Sequence, residues 1–267
     1  MDTFLSETNT WDSIAVAYDQ LNRPVLEVFA RSALERVQLD ADWRVLDIAC
    51  GPGTSTMLVS EFVDHVDALD FSAEMVRKLK SHIKTEQIDN IFPLQGDAHS
   101  LPYSENTMDL CISTFGLIFC VDRKKALREV LKVLKPGGRL LMTSWAPIEN
   151  SPMSQVVASA IDGGQPSPEN SVPLPMSDKD QFKAELEGAG FQNVIVQPVR
   201  HEFPVGNIDR FWETLYKAVP GVYFLRSQSD AKTWADIEAR ALKYLKENLD
   251  EGSSLAMEAN VAIAQKP

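Results

Sequence analysis

The junction near residue 50 constrains this chain more than any other feature. Trp43-Arg44-Val45-Leu46-Asp47-Ile48-Ala49 is an apolar run too short for a helix and rich in branched residues, and it leads straight into Cys50-Gly51-Pro52-Gly53-Thr54. That order predicts a buried strand, a tight glycine turn and then a helix over 54–62. Glycine in such a turn lets the main chain take positive φ and approach a ligand without a Cβ in the way. The same strand-then-helix rhythm continues. Strands are expected at 65–70, 91–95, 108–114 and 139–145. Helices are expected at 24–37, after Ser72 as a cap, and at 122–134, where Leu127, Val130, Leu131 and Leu134 recur at helical steps before Pro136-Gly137-Gly138 stops them. Strands alternating with amphipathic helices fold as a doubly wound, mostly parallel α/β sheet covered on both faces.

After Trp145 the rhythm breaks. Residues 147–176 hold six prolines and read as an irregular connection with one short helix at 152–161. Ser177-x-x-Asp180 has the form of a capping box before a further helix, a strand follows at 193–199, and two helices are expected between 207 and 250, the first ending at Pro220-Gly221. The 255–264 segment alternates with a period of two, so it is expected to rejoin the first sheet as an antiparallel C-terminal strand. The whole chain, 1–267, is then one domain: a core over about 20–146, 177–199 and 255–265, with residues 200–254 inserted as a helical cap.

Composition removes several function classes. Subtracting 38 acidic from 26 basic residues gives a net charge of −12, which repels phosphate backbones and argues against a nucleic acid partner. Cys50, Cys111 and Cys120 have no Cys-x-x-Cys spacing, and with four scattered histidines they give no zinc signature. The longest apolar stretch, residues 110–121, is interrupted by Ser113 and Thr114 and is well short of the roughly 20 residues of a membrane span. The first residues carry neither a basic region nor an apolar core, so a cytoplasmic location is expected.

Two acids strengthen the glycine turn as a site. Asp70 ends the next expected strand, nineteen positions after Gly51, and Asp97 ends the third in Gly96-Asp97-Ala98. Ends of adjacent parallel strands share one edge of the sheet, where ligands bind, and a carboxylate at the second strand end suits the two hydroxyls of a ribose. A dinucleotide turn wants a third glycine where this chain has Thr56, no P-loop lysine follows, and no cation lies near Gly51–Thr56 to meet a pyrophosphate. A nucleoside without phosphates fits.

These segments resemble the class I S-adenosylmethionine-dependent methyltransferases, in the type-11 group close to the quinone-biosynthesis C-methyltransferases. The likeness rests on Val45 to Thr54, Ala68-Leu69-Asp70-Phe71-Ser72, Gly96-Asp97-Ala98, Leu101-Pro102-Tyr103 and Leu134-Lys135-Pro136-Gly137-Gly138 taken together. It implies S-adenosyl-L-methionine as cofactor and a small-molecule methyl acceptor. By resemblance, the main chain at Ala49, Gly51 and Gly53 would hold the methionine part. Asp70 would take the ribose, Phe71 and Met75 would lie against the adenine, and Asp97 and the Ala98 amide would meet the adenine edge. Thr114, at the end of the 108–114 strand, joins the candidates. Tyr18 answers to a family tyrosine, one position later than usual, and its ring would face the sulfonium.

Methyl transfer from a sulfonium is an in-line displacement that needs positioning and exclusion of water more than acid–base help, and no metal. His99 and His201 are candidate bases, and none is assigned. Asp47 reads equally as an orienter of the loop and as a cofactor contact, and Cys50 as a packing residue. Phe115, Trp145, Trp212 and Tyr216 are candidates for an apolar acceptor pocket, and 163–175 for a mobile lid. The expected function is methylation of a small apolar or aromatic metabolite. The alternatives are a catalytically inactive cofactor-binding scaffold and, further off, a nicotinamide dehydrogenase.

Overall fold

The computed structural model describes residue 5, residues 7–162 and residues 174–267. The described strands form one seven-stranded sheet. Its first five strands are β1 (Arg44–Ile48), β2 (His65–Asp70), β3 (Ile91–Gln95), β4 (Met108–Thr114) and β5 (Leu134–Trp145), followed by β6 (Gln192–Pro204) and β7 (Ser254–Gln265). Their order across the sheet is β3-β2-β1-β4-β5-β7-β6. The first five pair in parallel, and β7 slots antiparallel between β5 and β6. The chain reverses its direction of winding between β1 and β4, and this switch point opens a crevice beyond the strand ends.

Side chains alternate across the sheet, so each strand feeds two cores. Leu46, Cys111, Leu140 and Met142 face α5 (Arg123–Val133) and α7 (Lys179–Ala189). Val45, Leu110, Ile112 and Leu141 face α2 (Arg23–Leu34) and α3 (Thr54–Ser60). Both faces are covered, as the βαβ rhythm requires. Ahead of α2 stand α1 (Thr8–Ala17) and a π-helical turn, Tyr18–Asn22, and between β2 and β3 runs α4 (Ala73–Glu86). A separate apolar cluster joins α6 (Pro152–Ile161), α8 (Ile208–Ala218), α9 (Pro220–Gln228) and α10 (Ala231–Asn248).

Several expected boundaries shift for physical reasons. Pro136-Gly137-Gly138 does not end a helix: α5 stops at Val133, and the three residues lie in an irregular start of β5 with Gly137 at φ 80°. The α7 cap is Asp178 rather than Ser177, since its carboxylate accepts from the amides of Asp180 and Gln181. Pro220 is the first residue of α9, where its missing N–H is no loss, so three helices and not two occupy 207–250. β6 runs on to Pro204 because it is an edge strand, and an edge tolerates Pro198. The inserted helices accordingly begin after 204 and not at 200. The 163–173 part of the expected lid lies outside the described residues. Among those described, no helix is long and apolar enough to cross a membrane, and no group of acids, cysteines and histidines is arranged to hold a metal.

Candidate functional site

The turn after β1 is built from strained main chain. Ala49 at φ 55°, Gly51 at 56° and Gly53 at 93° all adopt the left-handed region, which is unfavourable for alanine and persists only where the surroundings enforce it. The enforcement is visible. Cys50 N–H donates to Leu69 O at 3.1 Å, and Gly51 N–H donates to the Asp70 carboxylate at 2.8 Å. From the other side, a Cβ on Gly116 would lie 2.5 Å from Ala49 Cβ, so only glycine lets the segment after β4 lie this close. Ser113 Oγ ties the two strand ends by donating to Ile48 O at 2.8 Å.

Asp70 is buried at the end of β2, and its other oxygen accepts from Ser72 N–H at 2.9 Å. Burial pushes this carboxyl up to about 6, against the lowering pull of the two amides. Ser72 also caps α4 by accepting from Met75 N–H. Asp97, largely exposed, accepts from the His99 amide at 2.8 Å and from its ring Nδ1 at 2.6 Å. Burial works against its ionisation, yet these contacts outweigh it and hold Asp97 below the usual carboxylate range.

These strand ends open on one cavity of about 310 Å³, within the range of small-molecule sites. Ala49, Gly51, Asp70, Phe71 and Met75 line it, and so do Asp97, Ala98, Thr114 and Tyr18. Gly53 does not. It caps α3, and an added Cβ there would collide with Leu79 Cδ1 at 2.4 Å, so it is a packing glycine. Asp47 also stands off the cavity: Thr56 Oγ1 donates to one of its oxygens at 2.6 Å, the other has no hydrogen-bond partner among the described residues, and burial drives the carboxyl to about 7. It braces the loop from beneath.

The opposite wall is aromatic. Trp11 and Tyr18 meet edge to face with centroids 5.8 Å apart, Trp11 lies 5.5 Å from Phe119, and Phe115, itself at φ 56°, stacks on Trp145 at 4.0 Å. Trp11, Phe119, Cys120 and Val121 line the cavity and were not among the sequence candidates. One signal was available for Trp11, since Trp11-Asp12 recurs seven residues later as Tyr18-Asp19. Trp212 and Tyr216 pack with Trp234 in the helical cluster and do not line the cavity. His201 hydrogen-bonds Ser32 Oγ at 2.9 Å and packs on Phe29, also off the cavity, whereas His99 lines it beside Asp97. Burial raises the Cys50 and Tyr18 protons well above their ordinary range, with Asp70 reinforcing both, and takes the Cys120 thiol to about 12.

The lining joins the Asp70 carboxylate to open main chain at Gly51, with no lysine or arginine among its described residues. Comparisons with known proteins supply the family. A family model described as a methyltransferase domain matches residues 45–138. The ubiquinone/menaquinone biosynthesis C-methyltransferase UbiE of Idiomarina loihiensis is 30% identical over 212 residues, covering 71% of this chain and 84% of that protein. The demethylmenaquinone methyltransferase of Lactiplantibacillus plantarum is 32% identical over 139 residues, 49% of this chain and only 59% of its own length. Among solved structures, a putative methyltransferase from Bacillus halodurans superposes with a TM-score of 0.61 at 17% identity, covering 89% of this chain and 98% of that one. The chain belongs to the class I S-adenosylmethionine-dependent methyltransferases of the UbiE type, with S-adenosylmethionine as its cofactor.

Proposed function

We propose that this enzyme moves the cofactor's methyl group onto a small, uncharged aromatic acceptor, of the hydroquinone kind that the names of its relatives suggest. The observation that carries this reading is the division of one cavity: buried Asp70 on one side, and Trp11, Tyr18, Phe115 and Phe119 on the other, with no cationic side chain between them.

The cofactor supplies an activated methyl on a positively charged sulfur. Asp70 accepts the ribose hydroxyls, Asp97 and the Ala98 amide read the adenine edge, and Phe71 and Met75 flank the ring. The main chain at Ala49 and Gly51 receives the methionine part. Gly53 keeps that loop tight by packing and makes no contact of its own. Thr114, hydrogen-bonded to Ser55 at the floor, fixes the end of β4 beneath the methionine part. Tyr18, on the cavity wall, would offer its ring to the sulfonium.

The acceptor brings its own electron pair. Tyr18 and Cys120, the titratable groups on the aromatic side, both stay neutral because burial raises them. His99 is held by Asp97, and His201 stands off the cavity. Rate therefore comes from holding the nucleophile and the methyl in line at about 3–3.5 Å with water excluded. In carbon methylation the acceptor's ring carbon would gain the methyl as its bond to sulfur breaks with the electron pair left on sulfur, and the ring proton would be lost to solvent once transfer is complete and the site is open to water.

Calorimetric titration with S-adenosylhomocysteine tests the cofactor site, with micromolar binding expected and its loss in Asp70→Ala. Transfer of labelled methyl to a demethylated hydroquinone, with none to a phosphorylated amine of similar size, tests the acceptor. Equal transfer to the charged amine would overturn that part.

A further inference from the structure

Trp11 and Tyr18 stand seven residues apart and share the cavity face of the N-terminal segment. Each is followed by an aspartate, and both aspartates turn the other way, onto α4. Asp12 Oδ1 accepts from Ser72 Oγ at 2.5 Å and from the Glu74 amide at 3.1 Å, so α1 caps the first turn of α4 from outside. Asp19 accepts from His82 Nε2 at 2.8 Å and lies 3.7 Å from Lys78 Nζ and 3.8 Å from Arg23. Its side chain is only 10% exposed, so these contacts are shielded from solvent and are worth more than a surface pair. Between the two anchors Ile14 and Ala15 are buried against Met75, which itself lines the cavity.

Seven residues is two helical turns, and it puts like positions on one face. The π-helical turn that begins at Tyr18 carries the second anchor, Asp19, and runs directly into α2, and such turns are frequent at functional sites. We infer that Asp12 and Asp19 are positioning residues: a two-point latch that fixes the register of the N-terminal segment on α4 and so holds Trp11 and Tyr18 over the point of methyl transfer. Ser72 couples latch to site, since its hydroxyl donates to Asp12 while its amide holds Asp70. The inference rests on the methyltransferase reading for what the aromatic pair does, but the latch itself is measurable without any ligand.

The test uses the full chain. Backbone hydrogen exchange over residues 8–22 is measured in the ligand-free protein for wild type, Asp12→Ala, Asp19→Ala and the double variant. S-adenosylhomocysteine affinity and the kcat and KM values follow. The double variant is expected to exchange at least tenfold faster over 8–22 while β1, β4 and β5 are unchanged. It should bind S-adenosylhomocysteine about tenfold more weakly, and kcat should stay about tenfold low even at saturating cofactor. A helix that only stabilised the fold would not leave that deficit in kcat. Asp12→Asn should recover most of the loss, because its amide oxygen still accepts from Ser72 and Glu74. His82→Ala and Lys78→Ala loosen the second anchor without altering the segment itself, and they give the same readout if the double variant does not fold. Wild-type exchange over 8–22 in the loosened variants, or faster exchange with kcat and KM intact, overturns the latch. Absence of S-adenosylhomocysteine binding in the wild type instead overturns the cofactor site and leaves the exchange result standing.

Discussion

The loops at the ends of β1, β2 and β4 and the cluster of α6, α8, α9 and α10 differ in how they use buried groups. The first region buries Asp47 and Asp70 and bends Ala49 and Phe115 into the left-handed region. Each of these features is unfavourable for folding taken alone. The second buries Trp212, Leu215, Ile237 and Ala241 in an ordinary apolar core. One region holds strained main chain and buried acids around the cavity, and the other supplies apolar burial away from it. Variants in the helical cluster are therefore expected to lose stability first, and variants around the cavity to lose binding first.

The largest effect is expected in the helical cluster. Trp212 is 1% exposed and its indole N–H donates to Glu238, so Trp212→Ala should destabilise the fold by about 3–5 kcal/mol. Chemical denaturation reads this directly, and S-adenosylhomocysteine affinity at a temperature where the variant remains folded should stay within threefold of wild type. Asp70→Ala is the converse. In the proposed cofactor pose it would remove two charge-assisted hydrogen bonds to the ribose, about 1.5 kcal/mol each at the least, so calorimetry should show roughly a hundredfold loss of affinity. If Trp212→Ala weakens binding as much as Asp70→Ala does, the two regions are one cooperative unit and the comparison fails.

The two regions were also unequally legible. In the first, chemistry lies next to the signal that announces it: Gly51 follows the β1 run, Asp70 ends β2, Asp97 stands two residues beyond the end of β3 rather than at it, and Ser72 caps α4 where the sequence put it. Strand limits at 91–95 and 108–114 match as well. Local sequence sufficed because hydrogen bonds within a strand–turn–helix unit set the geometry. The aromatic wall was readable only in part: Tyr18 and Phe115 were candidates and line the cavity, whereas Trp11 reaches Phe119 across more than a hundred residues, a convergence that the repeat of Trp11-Asp12 as Tyr18-Asp19 does not mark. Trp212 and Tyr216 illustrate the reverse: their helical spacing correctly marked an apolar face, but that face packs on α10 and not on a ligand. Gly53 shows a subtler limit. Its place in the glycine turn was legible, whereas its work against Leu79 is a tertiary contact.

Within the strand-end region, a pH titration separates binding from stability by sign. Burial pushes the Asp70 carboxyl up to about 6, and in the proposed pose only its ionised form would accept both ribose hydroxyls. S-adenosylhomocysteine affinity should therefore fall about tenfold for each pH unit below 6. Stability moves oppositely. Below the unfolded carboxyl value of 3.8 both states are protonated. Between there and about 6 for Asp70, or about 7 for Asp47, the native state keeps a proton that the unfolded chain has lost, so stability contributed by these groups declines as pH rises. Asp47→Asn should flatten that decline. Ligand-free melting profiles at pH 5 and pH 7.5 measure it, and saturation with S-adenosylhomocysteine should narrow the gap at the higher pH. No weakening of binding at pH 5 would mean that Asp70 does not meet the ribose as a carboxylate.

The smallest expected effect tests the boundary between the regions. Arg226 on α9 places its guanidinium 4.4 Å from the Tyr216 ring centroid and 5.7 Å from that of Trp234, a contact worth about 0.5–1 kcal/mol where solvent reaches it. Arg226→Met keeps the length and apolar stem but removes the cation, so denaturation should register a loss of that order. The same helix carries Tyr223, which packs against the Ile14, Ala15 and Met75 cluster under the N-terminal segment, and Asn22 ties that segment to Ala218 O at the end of α8. If the helical cluster supplies stability alone, Arg226→Met leaves S-adenosylhomocysteine affinity and hydrogen exchange over 8–22 unchanged. If affinity falls along with stability, α9 helps to seat α1, and the division drawn here runs through α9 rather than beside it.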